Sequence, residues 1–229
     1  MTFNQDLFNR FILDNGILGT FPAPKRLASG RNSHWYVNWR TAVSDAFTMD
    51  ELVGHVIEFI DEKIAVKIDS IHGVPEGATG IGLLTMSTYA QGHGNYAKGS
   101  HRLSIGRTTP KDHGDPKDRY FVGAPRGNTI LIEDVTTTGK SVLGQIDKIK
   151  RLGDVNIVAV IGLTNRMERR DDRTTVKEAV EATGALYFEM SKGPELLKLS
   201  YARAPFPEAI TAHIEREFEQ YGIEPLQLR

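Results

Sequence analysis

The chain has 229 residues, of which 40% are hydrophobic and 25% charged, and its net charge is -1. This composition suits a globular chain with a sizeable core and gives no general attraction to nucleic acid or an anionic membrane. With no cysteine, disulfides, thiolate metal sites and a cysteine nucleophile are excluded, and a cytoplasmic setting is expected. No run approaches the ~18 apolar residues of a membrane span. The opening MTFNQDLFNRFILDNG carries an acid and lacks a long apolar centre, so it does not read as a secretion signal.

Residues 3–14 place Phe3, Leu7, Phe8, Phe11 and Ile12 on one side of a helix that Gly16 stops. Residues 18–21 and 34–37 are short strand candidates, with Pro22 and Pro24 marking a turn between them. Residues 52–66 repeat apolar side chains at helical spacing. From there the rhythm becomes strand, loop, helix: strands at 68–72, 103–105, 130–132, 157–163 and 185–188, and helices at 81–89, 140–152 and 176–183. A last helix is expected over 208–221, ended by Gly222. Residues 92–101 read as a glycine-rich loop and 108–119 as a long mobile one. The continuous apolar run at 157–163 is that of a central parallel strand. Alternating strands and helices predict an α/β fold, a central parallel sheet flanked by helices on both faces, with ligands at the carboxyl ends of its strands.

The densest chemistry lies in TILIEDVTTTGKS, residues 129–141. A buried-strand run meets two adjacent acids, Glu133 and Asp134. Thr136, Thr137, Thr138 and Gly139 follow, then a helix start. Hydroxyls and backbone N–H groups at a helix start attract phosphate, whereas acids repel it. Together they suit a ligand with a phosphate at one end and hydroxyls or a metal at the other, such as a sugar phosphate. The plainer alternative is a strand-to-helix turn capped by threonine. The ending TTTGKS also invites comparison with a nucleotide-binding P-loop. That motif needs a glycine where Asp134 stands, and a carboxylate there would face the phosphates.

This arrangement resembles the phosphoribosyl pyrophosphate (PRPP) loop of the type I phosphoribosyltransferases. Three other stretches resemble the orotate phosphoribosyltransferases in particular. LASGRNSHWYVNWR, residues 27–40, matches their N-terminal signature at Ser29, Gly30, Ser33, Trp35 and Tyr36, with Ala28 in place of a lysine and Arg26 nearby. GRTTPKDHG, residues 106–114, matches their mobile catalytic loop at Arg107, Lys111 and His113, with Thr108 in place of a lysine. NRME, residues 165–168, keeps Arg166 and Glu168 of a loop that contacts orotate; taken alone, it reads as a surface salt-bridge cluster. GVPEGATGIG, residues 73–82, stands where the family cradles pyrophosphate, with Glu76 and Gly77 replacing a tyrosine-lysine or similar pair. The resemblance covers residues 5–190, and the final helix adds little to it.

The resemblance implies one phosphoribosyltransferase domain: a small N-terminal hood over 1–45, a core over 46–200 and a C-terminal helix over 201–229. It implies transfer of a 5-phosphoribosyl group from PRPP to orotate, with Mg2+ as cofactor, in a homodimer. Lys111, His113 and Asp134 would be catalytic. PRPP would be held by Arg107, Lys111, His113, Glu133, Asp134, Val135, Thr136, Thr137, Thr138, Gly139, Lys140 and Ser141. Orotate would meet Thr137, Arg166, Trp35 and Tyr36. Magnesium would arrive with PRPP near Glu133 and Asp134. No residue reads as a nucleophile or base, which suits an acceptor that is already deprotonated. Two other readings stay open: a transferase for another base, and a PRPP-sensing regulator that has lost cationic groups at Ala28, Gly77 and Thr108.

Overall fold

The computed structural model describes residues 2–94, 96–113 and 119–229. Helix α1, Gln5–Asp14, begins where the Asn4 side chain accepts from the Leu7 N–H, and it buries Phe8, Phe11 and Ile12. A two-stranded antiparallel hairpin follows, β1 (Leu18–Arg26) and β2 (Asn32–Val37). Pro22 and Pro24 lie within β1 rather than in a turn. Prolines lack the N–H a ladder needs, and the pairing is irregular between Thr20 and Lys25. β2 alternates in burial, with Ser33, Trp35 and Val37 inward.

A short helix α2 (Arg40–Val43) leads to α3 (Ala46–Lys63), which starts earlier than its apolar periodicity because Asp45 caps it. The main sheet has six strands: β3 (Ser70–Gly73), β4 (Arg102–Gly106), β5 (Phe121–Val122), β6 (Gly127–Thr136), β7 (Val155–Asn165) and β8 (Leu186–Glu189). Their spatial order is β5-β4-β3-β6-β7-β8, parallel throughout except for β5, which runs against β4. Helices α4 (Thr79–Gly92), α5 (Lys140–Lys150), α6 (Val176–Glu181), α7 (Gly193–Arg203) and α8 (Glu208–Tyr221) complete the fold. One core unites α1, the hairpin, α3, α4, α7 and α8 on one face of the sheet. A second core, around Val142, Ile146, Val176 and Tyr187, lies on the other. The predicted parallel sheet with helices on both faces is therefore what forms.

The elements α2, β5 and α7 carry too little periodicity to be read from sequence. β6 corrects a more consequential boundary. The strand does not end at Ile132 but runs through Glu133 and Asp134 to Thr136, because β7 pairs alongside it as far as Thr136 with Asn165. The acids are thus strand residues, fixed by the ladder.

Candidate active site

The carboxyl ends of β3, β4, β6 and β7 face one cleft, and most of the expected site residues lie on these ends and the loops after them. Glu133 is buried, with 6% of its surface exposed, while Asp134 is half-buried. Burial holds the Glu133 carboxyl well above its usual range; the Asp134 charge and a hydrogen bond to Asp134 push the same way. Of the two adjacent acids, Glu133 is thus the one whose surroundings disfavour its charge. Asp134 accepts from the Val135 N–H at 2.9 Å, which fixes its rotamer.

After β6 the chain bends around the start of α5. Glu133, Val135, Thr136, Thr137, Thr138, Gly139, Lys140 and Ser141 line a small pocket, closed on the hairpin side by Ala28 and Ser29. Thr136 points away from it: its hydroxyl is buried against the Tyr187 hydroxyl at 2.7 Å. Gly139 is required on two counts. Its φ is +70°, and a Cβ would lie 3.1 Å from Val176 Cγ1. No side chain caps α5, so the first-turn amides remain available to an anion. Arg170 donates to the Thr138 carbonyl, drawing that oxygen into the protein. Arg26 is exposed at the end of β1 and does not line the pocket beside Ala28.

The loop after β3 passes close to the acids. A Cβ built on Gly77 would lie 2.0 Å from Asp134 Oδ2, so the backbone at 77 rests against that carboxylate. Beneath this loop, His72 is fully buried. Gln145 Nε2 donates to its Nε2 at 2.9 Å, so the proton is on Nδ1, which donates to Ser104 Oγ at 2.8 Å. Burial lowers its pKa to about 4. Sequence patterning marked His72 only as a strand residue.

Arg107, Lys111 and His113 follow β4. Arg107 N–H donates to the Tyr120 carbonyl at 2.8 Å and Lys111 N–H to the Arg119 carbonyl at 2.9 Å, so the loop begins as a narrow ribbon. Thr108 Oγ1 donates to Glu76 Oε1 at 2.9 Å, joining two positions where the sequence departs from the resembled pattern. Gly114 and the remainder of the expected mobile loop, residues 115–118, lie outside the described residues.

The expected orotate contacts are placed differently. Arg166 is not on the surface: it is 1% exposed. Its Nε donates to Glu168 Oε1 at 2.6 Å, its Nη2 to Glu217 Oε1 at 2.7 Å and to Ser33 Oγ at 3.0 Å. Trp35 is fully buried, with the Arg166 guanidinium 3.6 Å from one ring centroid and Phe218 stacked at 5.9 Å. A base has no open face of Trp35 to stack on. Arg31 closes the cluster, meeting Glu168 Oε2 at 2.8 Å and the Tyr221 ring at 4.4 Å. What reads as a surface salt-bridge cluster from NRME alone is thus buried at Arg166 and Glu168, because the hairpin and α8 cover it. Tyr36 is half-buried and Thr137 remains beside the pocket. Helix α8, which adds nothing to the sequence motif, supplies Glu217 and Phe218.

No family model matches the chain. It is 32% identical over 179 residues to the orotate phosphoribosyltransferase of Bifidobacterium animalis subsp. lactis, covering 72% of this chain and 71% of that one. It is 32% identical over 189 residues to the orotate phosphoribosyltransferase of Bordetella pertussis, covering 79% and 78%. Among solved structures, the orotate phosphoribosyltransferase of Francisella tularensis superposes with a TM-score of 0.67 over 94% of this chain and 99% of its own. At 18% identity that last likeness speaks for the fold. The sequence kinship across more than two thirds of both partners goes further: the chain belongs to the orotate phosphoribosyltransferase family.

Proposed function

We propose that this protein is an orotate phosphoribosyltransferase, moving the 5-phosphoribosyl group from PRPP to a ring nitrogen of orotate to give orotidine 5-phosphate and pyrophosphate, a step of pyrimidine biosynthesis. The observation that carries this reading is the joining of β6 to α5: two adjacent carboxylates on a strand end, then an uncapped helix start lined by threonines.

In this reading the sugar 5-phosphate sits against the amides and hydroxyls of Thr137, Thr138, Gly139, Lys140 and Ser141, with Val135 and Thr136 shaping the turn. Glu133 and Asp134 meet the ribose hydroxyls. The bond at ribose C1 breaks largely before the new one forms, so positive charge develops on the sugar, and Asp134 offsets part of it. Arg107, Lys111 and His113 close on the pyrophosphate as it leaves and exclude water from the reactive sugar. Thr137 and Tyr36 face the acceptor, while Arg166 and Trp35 support that side from beneath.

Glu133 and Asp134 fit a magnesium ion carried by PRPP, since they are adjacent oxygen donors whose mutual repulsion a cation would relieve. Bound there, magnesium would neutralise charge on the pyrophosphate. We also propose a homodimer in the cytoplasm, built from a single domain with the α1 and hairpin region as its hood. No helix among the described residues is long and apolar enough to cross a membrane.

The test is calorimetry with PRPP and magnesium, followed by pyrophosphate release with a panel of bases. PRPP binding and turnover with orotate, at least roughly 100-fold above uracil or adenine in kcat/KM, is the expected result. No PRPP binding would end the whole reading. A preferred base other than orotate would move the acceptor assignment and leave the donor assignment standing.

A further inference from the structure

We propose that Glu217, on helix α8, is a positioning residue for acceptor recognition: it and Glu168 occupy the Nε–Nη2 edge of Arg166 and so fix the guanidinium against β2 at Ser33 and Trp35, beneath the acceptor side. The proposal rests on the functional reading above.

The donor inventory of Arg166 makes the case. A guanidinium has five N–H groups in a planar fork, and two parallel bonds to a carboxylate require two of them on one edge. On the Nε–Nη2 edge, Nε gives its hydrogen to Glu168, and Nη2 gives its two to Glu217 and Ser33. With Nη2 spent, the Nη1–Nη2 edge cannot grip a second carboxylate either. Nη1 makes one long contact, 3.4 Å to the Trp35 carbonyl, and keeps donor capacity. The bidentate grip on orotate that an arginine here suggests is therefore taken by the protein's own acids.

Charge points the same way. Arg31 and Arg166 face Glu168 and Glu217, so the buried charges balance, with Asp171 meeting Arg31 at the exposed edge. A balanced buried cluster does not draw in an anion by net charge; it works through the direction of its donors. Trp35 helps set that direction, since its ring meets the Arg166 guanidinium at 3.6 Å and Phe218, next to Glu217, at 5.9 Å. Arg166 N–H also donates to the Thr136 carbonyl at 2.9 Å, so the cluster is tied to the start of the phosphate loop. The guanidinium itself holds β2, through the Ser33 hydroxyl and the Trp35 carbonyl, so its turning would be felt at the adjoining Tyr36, which the functional reading sets by the acceptor.

Burial raises the Glu217 pKa, and the Arg166 charge and the Ser33 hydroxyl work against that rise. The Ser33 hydroxyl lies 3.0 Å from Glu217 Oε2, so Ser33 braces both partners.

The test compares steady-state constants of the full chain. Glu217→Ala is expected to raise KM for orotate roughly tenfold while KM for PRPP stays within about twofold. Glu217→Gln, which retains an oxygen for Nη2, should return the orotate KM to within about threefold of wild type. If circular dichroism shows Glu217→Ala unfolded, Ser33→Ala removes the other Nη2 acceptor and should give the same selective rise, of about threefold. An unchanged orotate KM in a folded variant, or both KM values rising together, overturns the proposal. Wild-type protein that binds PRPP but never uses orotate overturns the functional reading and this inference with it; active wild type with indifferent variants overturns this inference alone.

Discussion

The two sides of the cleft are built in opposite ways. The pocket that the proposed function gives to the sugar phosphate is nearly continuous in the chain: Glu133 and Val135 to Ser141 line it, joined by Ala28 and Ser29 from the hairpin. The cluster that the proposed function sets beneath the acceptor is assembled from separate segments, with Ser33 and Trp35 from β2, Arg166 and Glu168 after β7, and Glu217 and Phe218 from α8. The first is a strand end, a short turn and a helix start around a small pocket, whereas the second is a packed core that carries charge. A mutation on the donor side should therefore cost activity, and one on the acceptor side should first cost stability.

The strongest test of that contrast is Trp35→Ala, which removes the buried ring that Arg166 and Phe218 both pack against. It should lower unfolding free energy by about 3–5 kcal/mol, read from urea denaturation, while Thr137→Ala should change it by less than about 0.5 kcal/mol. Equal effects would erase the distinction.

Acid offers a second test, because His72 is the one buried histidine beneath the donor loops among the described residues. Its pKa falls from 6.5 to about 4 in the folded chain. Between those values the unfolded chain binds a proton and the folded chain does not, so protons favour unfolding. The stabilisation is whole above pH 6.5 and is lost as pH falls toward 4, amounting to about 3 kcal/mol. A His72→Gln variant should flatten that part of the stability profile; a profile unchanged by the substitution would remove His72 as its source.

The smallest of the three in free energy concerns the loop after β4. Lys111→Ala should lower kcat roughly 100-fold, about 2.7 kcal/mol, with little change in stability. An unchanged rate would take Lys111 out of the mechanism and leave Arg107 and His113 to answer for the leaving group.

The same contrast explains what could be read from sequence. The donor loop was legible because its residues are neighbours in the chain, and a strand meeting acids, threonines and a glycine is a local pattern. Even there, the strand was read as ending too early, since only pairing with β7 carries β6 through the acids to Thr136. The acceptor side was half legible. Arg166 and Trp35 stood out as residue types, yet nothing local shows that each covers the other. Glu217 gave no signal, being one acid among several on an amphipathic helix. Its placement against Arg166 depends on how α8 docks on β2, a contact spanning most of the chain.

One last feature bears on how such a site can change over time. Many family members resemble one another in carrying a tyrosine-lysine or similar pair where this chain has Glu76 and Gly77. Here the Asp134 carboxylate occupies the room that any side chain at 77 would need, with Oδ2 2.0 Å from the Cβ position. A lysine cannot simply be reinstated by one substitution; Asp134 would have to give way first, and Asp134 is itself indispensable to the proposed chemistry. A laboratory selection seeking to strengthen the grip on pyrophosphate would therefore have to shift Asp134 or add its charge somewhere other than position 77.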